Sequence, residues 1–567
     1  MRPGQRGTIQ HVEAPRSPST AALPRPRDLR RVDAAIDPPD PRLIDLVGSA
    51  LCLREAVLPW RNAGGTSIVA VARPETFDRL RPLLESRLGP VACALCPENQ
   101  IAAALIAMRG TELVREAETT VPDRLSCRSW NISSATYWVQ LALVALASCL
   151  LLWPIATLGI VAGWAVLALI CGMGLKLAAA IAAHRAVPAP PPPPIIARLP
   201  TVSVIVALYR EADIAPRLVH RLAALDYPRE LLDIVLAVEE RDSLTRDALA
   251  RTILPDWMRI VVVPHGHLKT KPRALNFALT QCRGSIIGVY DAEDAPAPDQ
   301  IRKVATEFHR HGPDVGCLQG VLDFYNPRTN WIARCFTVEY AALFRVLLPG
   351  FRRLGLAIPL GGTTLFIRRT VLEQLGAWDA HNVTEDADLG IRLARAGYRT
   401  EMVDTVTHEE ANCRPLAWIR QRSRWQKGYM MTWCIHMRDP LRLWRDLGSR
   451  AFFGFQTMFL LALSQVLLAP VLWSFWLLSL SVWHPLADIL PPQTKFVLIG
   501  LFLLTEAINI IIGILALRRT QHRLSPLWVP TLILYFPLAT ISAYKALREM
   551  ITAPFFWDKT AHGKFDT

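Results

Sequence analysis

Apolar residues in this chain keep two rhythms. Some gather in blocks long enough to cross a bilayer, and others form short runs separated by helical spacing. The first block, residues 137–182, has Lys176 as its only charge, and its length makes room for two spans of ~20 residues each. Three more runs follow Gly448, at residues 451–483, 496–517 and 527–546. The last two each fit one span. Residues 451–483 would make a helix of ~50 Å, too long for one crossing and short for two, and Pro470 can break it into a hairpin. Five or six spans result. Residues 451–550 as a whole read as membrane helices.

The short runs define two folded segments. Residues 41–127 read as a small α/β domain, with strands at 66–72 and 91–95 and helices at 75–88 and 99–109. Residues 201–410 begin with the strand VSVIVAL, Val202–Leu208, and then alternate strands at 234–238, 260–263 and 286–290 with helices at 215–225 and 244–252. That alternation predicts a parallel sheet with right-handed crossovers. Residues 1–40, rich in Pro and Arg, read as a disordered cytoplasmic tail. A polyproline stretch stiffens the linker 183–200.

Charge places the segments. Lys and Arg exceed Asp and Glu by 63 to 49, and many of them flank the apolar blocks. Arg128, His184 and Arg185 bracket the first hairpin, so both of its ends, and the soluble parts attached, belong in the cytosol. The loop 518–523 and the residues Lys545, Arg548, Lys559 and Lys564 also favour the cytosol, which simple spans cannot satisfy together. The N-terminus has no apolar core, so no signal peptide is expected. Basic residues interleaved with aromatics are missing, which excludes a nucleic-acid reader. The 11 cysteines are scattered, and the lone pair Cys93 and Cys96 lacks the further ligands a zinc site needs.

Chemistry gathers at strand ends. The strand 286–290 runs into Asp291, Glu293 and Asp294 before Pro296 and Pro298 stop it. Ligands bind open α/β sheets at this end, and hard oxygen donors suit Mg²⁺ or Mn²⁺ carrying a diphosphate. A solvated acidic turn would carry the same letters. Downstream, Thr384, Glu385 and Asp386 open a segment of helical spacing, where Thr384 can cap the helix. QRSRW, Gln421–Trp425, follows within residues 411–447, an interfacial helical segment.

Together, the stretch from Val202 to Trp425 resembles the family-two inverting glycosyltransferases. It is most similar to membrane-embedded enzymes of the cellulose-synthase and hyaluronan-synthase type. The resemblance implies an α/β fold of GT-A type, a mixed and mostly parallel nucleotide-sugar-binding sheet set between membrane helices. It implies a metal held by Asp291 with Glu293 or Asp294. Nucleotide contacts fall on Glu239 and Glu240, where relatives carry paired Asp and where Asp242 competes, and on Lys271 and Arg424. Asp386, beside Glu385, becomes the general base, and Asn276 braces the loop at Lys271. Trp425, Gln421, Gly362 and Thr363 fall at the acceptor sugar. Trp557, Lys559 and Thr560 resemble a cytosolic gating loop or form a membrane-edge anchor; the gating reading needs an even count and favours six spans.

Function then reads as a processive hexosyltransferase of a bacterial inner membrane. It would draw on a UDP-sugar, extend a β-linked polysaccharide and export it, with periplasmic partners. Gln465, Glu506 and Asn509 are the polar residues available along a path through the bilayer. The alternative is a non-processive enzyme that glycosylates a lipid-linked acceptor. The segment 41–127 resembles the N-terminal domain of type II secretion ATPases and serves as a docking or folding module.

Overall fold

The computed structural model describes residues 30–185, 196–211, 215–479, 482, 484–486 and 491–556. Most of the N-terminal tail, the polyproline stretch and Trp557, Lys559 and Thr560 lie outside the described residues. The chain divides into two compact units, residues 1–108 and 109–567.

In the first unit, Val57–Ala63 and Thr66–Val71 form an antiparallel hairpin, and Val91–Leu95 joins parallel to its second strand. A parallel addition needs a crossover, which helix Pro74–Leu88 supplies by burying Phe77 and Leu84. The hairpin's first strand is unforeseen in the sequence because Pro59 interrupts it; the register shifts between Pro59 and Arg61.

In the second unit two apolar helices come first, α1 (Ile132–Leu152) and α2 (Pro154–His184). The soluble body follows. Its strands are β1 (Val202–Leu208), β2 (Leu232–Glu239), β3 (Met258–Val263), β4 (Ile286–Tyr290), β5 (Ala295–Pro296), β6 (Val315–Phe324), β7 (Leu365–Arg368) and β8 (Arg399–Glu409). They form one sheet in the order β3-β2-β1-β4-β7-β6-β8-β5. The β3-β2-β1-β4 half is parallel throughout, as the alternating pattern requires. β7 then enters antiparallel to both β4 and β6, so the sheet is mixed. β1 and β4 are apolar and buried because helices cover both faces. Gly288 in β4 leaves room for Phe366 of β7; a Cβ there would stand 2.6 Å from that ring.

Helices α3 (Lys271–Leu279), α4 (Trp331–Ala342), α5 (Glu385–Arg395) and α6 (Pro415–His436) surround the strand ends. Among the described residues five helices are long and apolar enough to cross a membrane: Ile132–Leu152, Pro154–His184, Pro440–Leu467, Gln493–Leu517 and Pro526–Thr552. The awkward 451–483 run begins inside the candidate span Pro440–Leu467 and continues into helix Ala469–Ser479. Phe452, Phe455 and Phe459 pack on Ile391 of α5, while Leu472 and Phe475 of helix Ala469–Ser479 reach Ala162 and Leu169 of α2. Helix α7 (Pro492–Leu517) returns along α2.

The last helix, α8 (Leu532–Thr552), packs closely on the soluble body. It runs beside α6 for its whole length. Tyr535 Oη donates to Glu339 of α4 at 2.9 Å, Gln426 Nε2 of α6 to Ala539 O at 3.1 Å, and Lys545 Nζ to Ser423 Oγ at 3.0 Å. Beyond its end, Lys427 Nζ donates to Ala553 O and Phe556 O at 3.2 and 2.9 Å, and Phe555 packs on His381. Both ends therefore meet the soluble body. Arg519 Nη1 donates to Arg345 O at 2.6 Å, so the basic loop before α8 also packs on that body.

Candidate active site

The acidic turn after β4 sorts its own carboxylates. Asp294 is buried; its Oδ2 accepts from the Asp291 N–H at 2.8 Å and from the Thr363 hydroxyl. It braces the turn and holds Thr363 under it. Asp291 and Glu293 are half-buried on the cavity wall, where both could face a metal. Asp294 Oδ1 has no hydrogen-bond partner, and burial followed by the charges of Asp291 and Glu293 pushes this carboxyl well above its ordinary range. Glu409, at the end of β8, is pushed up in the same way by burial and by Asp294 and Asp291. Such an excess of crowded carboxylate oxygen fits a divalent cation of the Mg²⁺ or Mn²⁺ type.

Lys271 supplies the local positive charge. It opens α3, where Pro272 follows at the first turn, and its ammonium bonds Asp291 and the Gly362 carbonyl, the latter at 2.9 Å. Burial alone would lower its pKa, but Asp291 and Glu385 outweigh that and keep it protonated. Asn276 of the same helix bonds Ala117 O, Trp378 O and Trp378 N–H, bracing the surroundings as its motif suggests. Gly362 stands against Asp386. A Cβ there would lie 3.0 Å from Asp386 Oδ2, so any larger residue would push that carboxylate aside by a few tenths of an ångström.

Helix α5 starts at Glu385, yet Thr384 makes no side-chain cap, contrary to the expected capping. Its hydroxyl contacts Asn382 and its side chain packs against Gly428 of α6. The two acids next to it are therefore not explained as a cap. Burial and the neighbouring Asp386 charge push Glu385 up to about 8. Burial raises Asp386 too, opposed by the Ala387 N–H, Lys271 and Arg424. One turn on, Asp388 receives Arg392 at 2.7 Å and His436 of α6 at 3.0 Å, which ties the two helices together.

On α6, Gln421, Arg424 and Trp425 all face the same cavity. Trp425 packs with Phe336 and Tyr340 of α4 at centroid distances of 6.1 and 6.2 Å. Between Trp418 and Trp425 lies the guanidinium of Arg422, 4.8 Å from each ring and bonded to Glu339 at 2.7 Å. Glu339 and Tyr340 carry no motif of their own, and Arg422 is a position inside QRSRW to which the resemblance gives no role; only the helical phase of the aromatics around it hints at them.

Where the sequence expects the nucleotide, Glu239 closes β2, pairs with the buried Arg273 and reaches the cavity. Glu240 does not. Its carboxylate accepts the His265 N–H at 2.9 Å, because consecutive residues leave a strand on opposite faces. Asp242 caps helix Ser243–Ala250 through Thr245 N–H. Beside Glu239 opens a smaller recess of about 240 Å³ with Arg210, Arg241 and Lys269 in its wall.

One cavity of about 600 Å³ thus collects Asp291, Glu293, Lys271, Asp386, Arg424 and Trp425. It continues between α2, α4, α7 and α8 as far as Lys176 and Asn509, whose side chains bond at 3.1 Å. Glu506 and Gln465 are not on its wall.

Residues 200–428 match the family described as "Glycosyltransferase like family 2", and residues 26–115 match the "MshEN domain". A "Probable glycosyltransferase YdaM" of Bacillus subtilis is 27% identical over 41% of this chain and 55% of its own. A "Beta-monoglucosyldiacylglycerol synthase" of Synechocystis is 28% identical over 45% and 53%. The "Cellulose synthase 1 catalytic subunit" of Komagataeibacter xylinus is 24% identical over 51% and 39%. This chain spans about half the length, or less, of these curated relatives. Among solved structures, a mannosyltransferase from Pyrobaculum calidifontis in complex with GDP-Man and Mn²⁺ aligns at a TM-score of 0.43 and 20% identity, over 64% of this chain and all of its own. The second unit holds a family 2 glycosyltransferase domain, residues 200–428, with a mixed, mostly parallel sheet, joined to helices apolar enough to enter a bilayer.

Proposed function

We propose that this glycosyltransferase moves a hexose from a UDP-sugar, with inversion, onto a growing β-linked polysaccharide. The supporting observation is the single cavity that holds the acids, the base and Trp425 and then runs on between the apolar helices. Asp291 and Glu293 would hold the divalent ion, which when bound neutralises charge on the leaving diphosphate. Lys271 and Arg424 face the same diphosphate as fixed charges. Asp386 takes the proton from the acceptor hydroxyl while that oxygen attacks the anomeric carbon and UDP departs from the opposite face. Trp425 stacks on the apolar face of the acceptor sugar. The glycosyltransferase body lies on the cytosolic side of an inner membrane, the product passes outward, and the first unit acts as a docking module.

Incubation of purified protein with a panel of labelled UDP-sugars tests this, with UDP release and product length read together. Asp386→Asn should lower turnover about 10²–10⁴-fold. Turnover near wild type would remove the base assignment.

A second reading is favoured by the deep wall, where Leu343, Leu347, Val466, Ile512 and Phe536 are apolar. There the acceptor is a lipid and one sugar is added. Label extracted into organic solvent as a single-sugar product would select this reading over polymer synthesis.

A further inference from the structure

Away from the cleft, three ligand-type side chains from three separate elements converge. Asp323 ends β6, His408 lies on β8, and His522 lies in the loop between α7 and α8. Asp323 and His408 are register partners on adjacent parallel strands, so strand pairing alone brings them together. His522 arrives from the loop that follows a membrane passage. One donor atom of each lies within 4.8 Å of the others. His522 Nε2 is 2.8 Å from Asp323 Oδ1, and the second oxygen of Asp323 is held by Arg345 at 2.8 Å. Asp323 is buried; the two imidazoles are half-buried.

We propose that Asp323, His408 and His522 form a zinc site. Two imidazoles and one carboxylate oxygen are a borderline ligand set that suits Zn²⁺ better than the oxygen-only set of the cleft suits it. A tetrahedral ion needs its donors about 3.3 Å apart, which rotation of the two imidazoles supplies without moving either strand. Arg345 orients the carboxylate from behind, in the position where bound ligands are commonly held by a further hydrogen bond. On binding, zinc takes the place of the proton shared between His522 and Asp323, and water completes the fourth position. The site fastens the α7–α8 loop to the sheet one residue before Glu409, which faces the catalytic cavity.

The test is equilibrium dialysis of full-length, detergent-solubilised protein against Zn²⁺. The parent carries Asp291→Asn and Glu293→Gln, so that the cleft acids cannot supply the binding. The parent should retain one equivalent of zinc, and adding His408→Gln or His522→Gln should abolish it. His522→Gln keeps an N–H for Asp323, so the native hydrogen bond survives the change. Zinc retained equally by the histidine variants overturns the proposal, as does a parent that retains none. Should the histidine variants aggregate, X-ray absorption on the zinc-loaded parent decides. A shell containing imidazole nitrogen supports the site, and an oxygen-only shell overturns it.

Discussion

Glu385 and Asp386 share one environment but separate in role. Glu385 lies deeper, and its carboxyl titrates near 8 against an ordinary value of 4.5. A carboxyl whose folded pKa is raised stabilises the fold below its unfolded pKa and loses that contribution as pH rises through the folded one. The difference in Tm between wild type and Glu385→Gln should therefore shift steadily against wild type from about pH 4.5 to about pH 8. A difference that is flat across that window would show that the carboxyl is not held protonated. Gly362→Ala should lower kcat roughly tenfold, since the new methyl displaces Asp386 by a few tenths of an ångström. Equal turnover in the alanine variant would mean that Asp386 does not work from this position. The motif residues were legible because they sit in short fixed spacings. Glu409 was not, since the acids that make it unusual come from another strand. Glu240 looked equivalent to Glu239 until the strand's alternation sent it the other way.

At the scale of elements, α5 and α6 are tied together at several points. Asp388 to His436, Asn382 to Thr432 at 3.0 Å, and the close seat of Thr384 on Gly428 join α5 to α6. Those ties fix the spacing between Asp386 on one helix and Trp425 on the other, as the proposed base and acceptor platform would need. Helix α8 was legible as apolar and as basic, and a position along α6 would reconcile those two signals. Hydropathy counts residues and does not see that Gln426 and Ser423 already take one face of the helix. Single cysteines placed at Thr520 and Ala553 should react with a membrane-impermeant maleimide from the same side as the glycosyltransferase body. Labelling of Ala553→Cys from the opposite side would make α8 a span.

For the molecule as a whole, the sheet's parallel half could be read directly from apolar runs, whereas the inserted antiparallel β7 is too short to announce itself. The crowded acids of the cleft predict that a chelator abolishes transfer and that Mg²⁺ or Mn²⁺ restores it, measured as UDP release. Transfer that survives exhaustive chelation would leave Lys271 and Arg424 as the only charges on the diphosphate. Lys427 is the feature with the widest practical reach. Its ammonium is buried and leans on the carbonyls of Ala553 and Phe556. Shortening the chain to remove those carbonyls takes away two of its acceptors and leaves Glu549, 3.5 Å away, to hold the buried cation. A purification handle joined just after Phe556 would set out from beside QRSRW, so the opposite end of the polypeptide is the safer place to hold it.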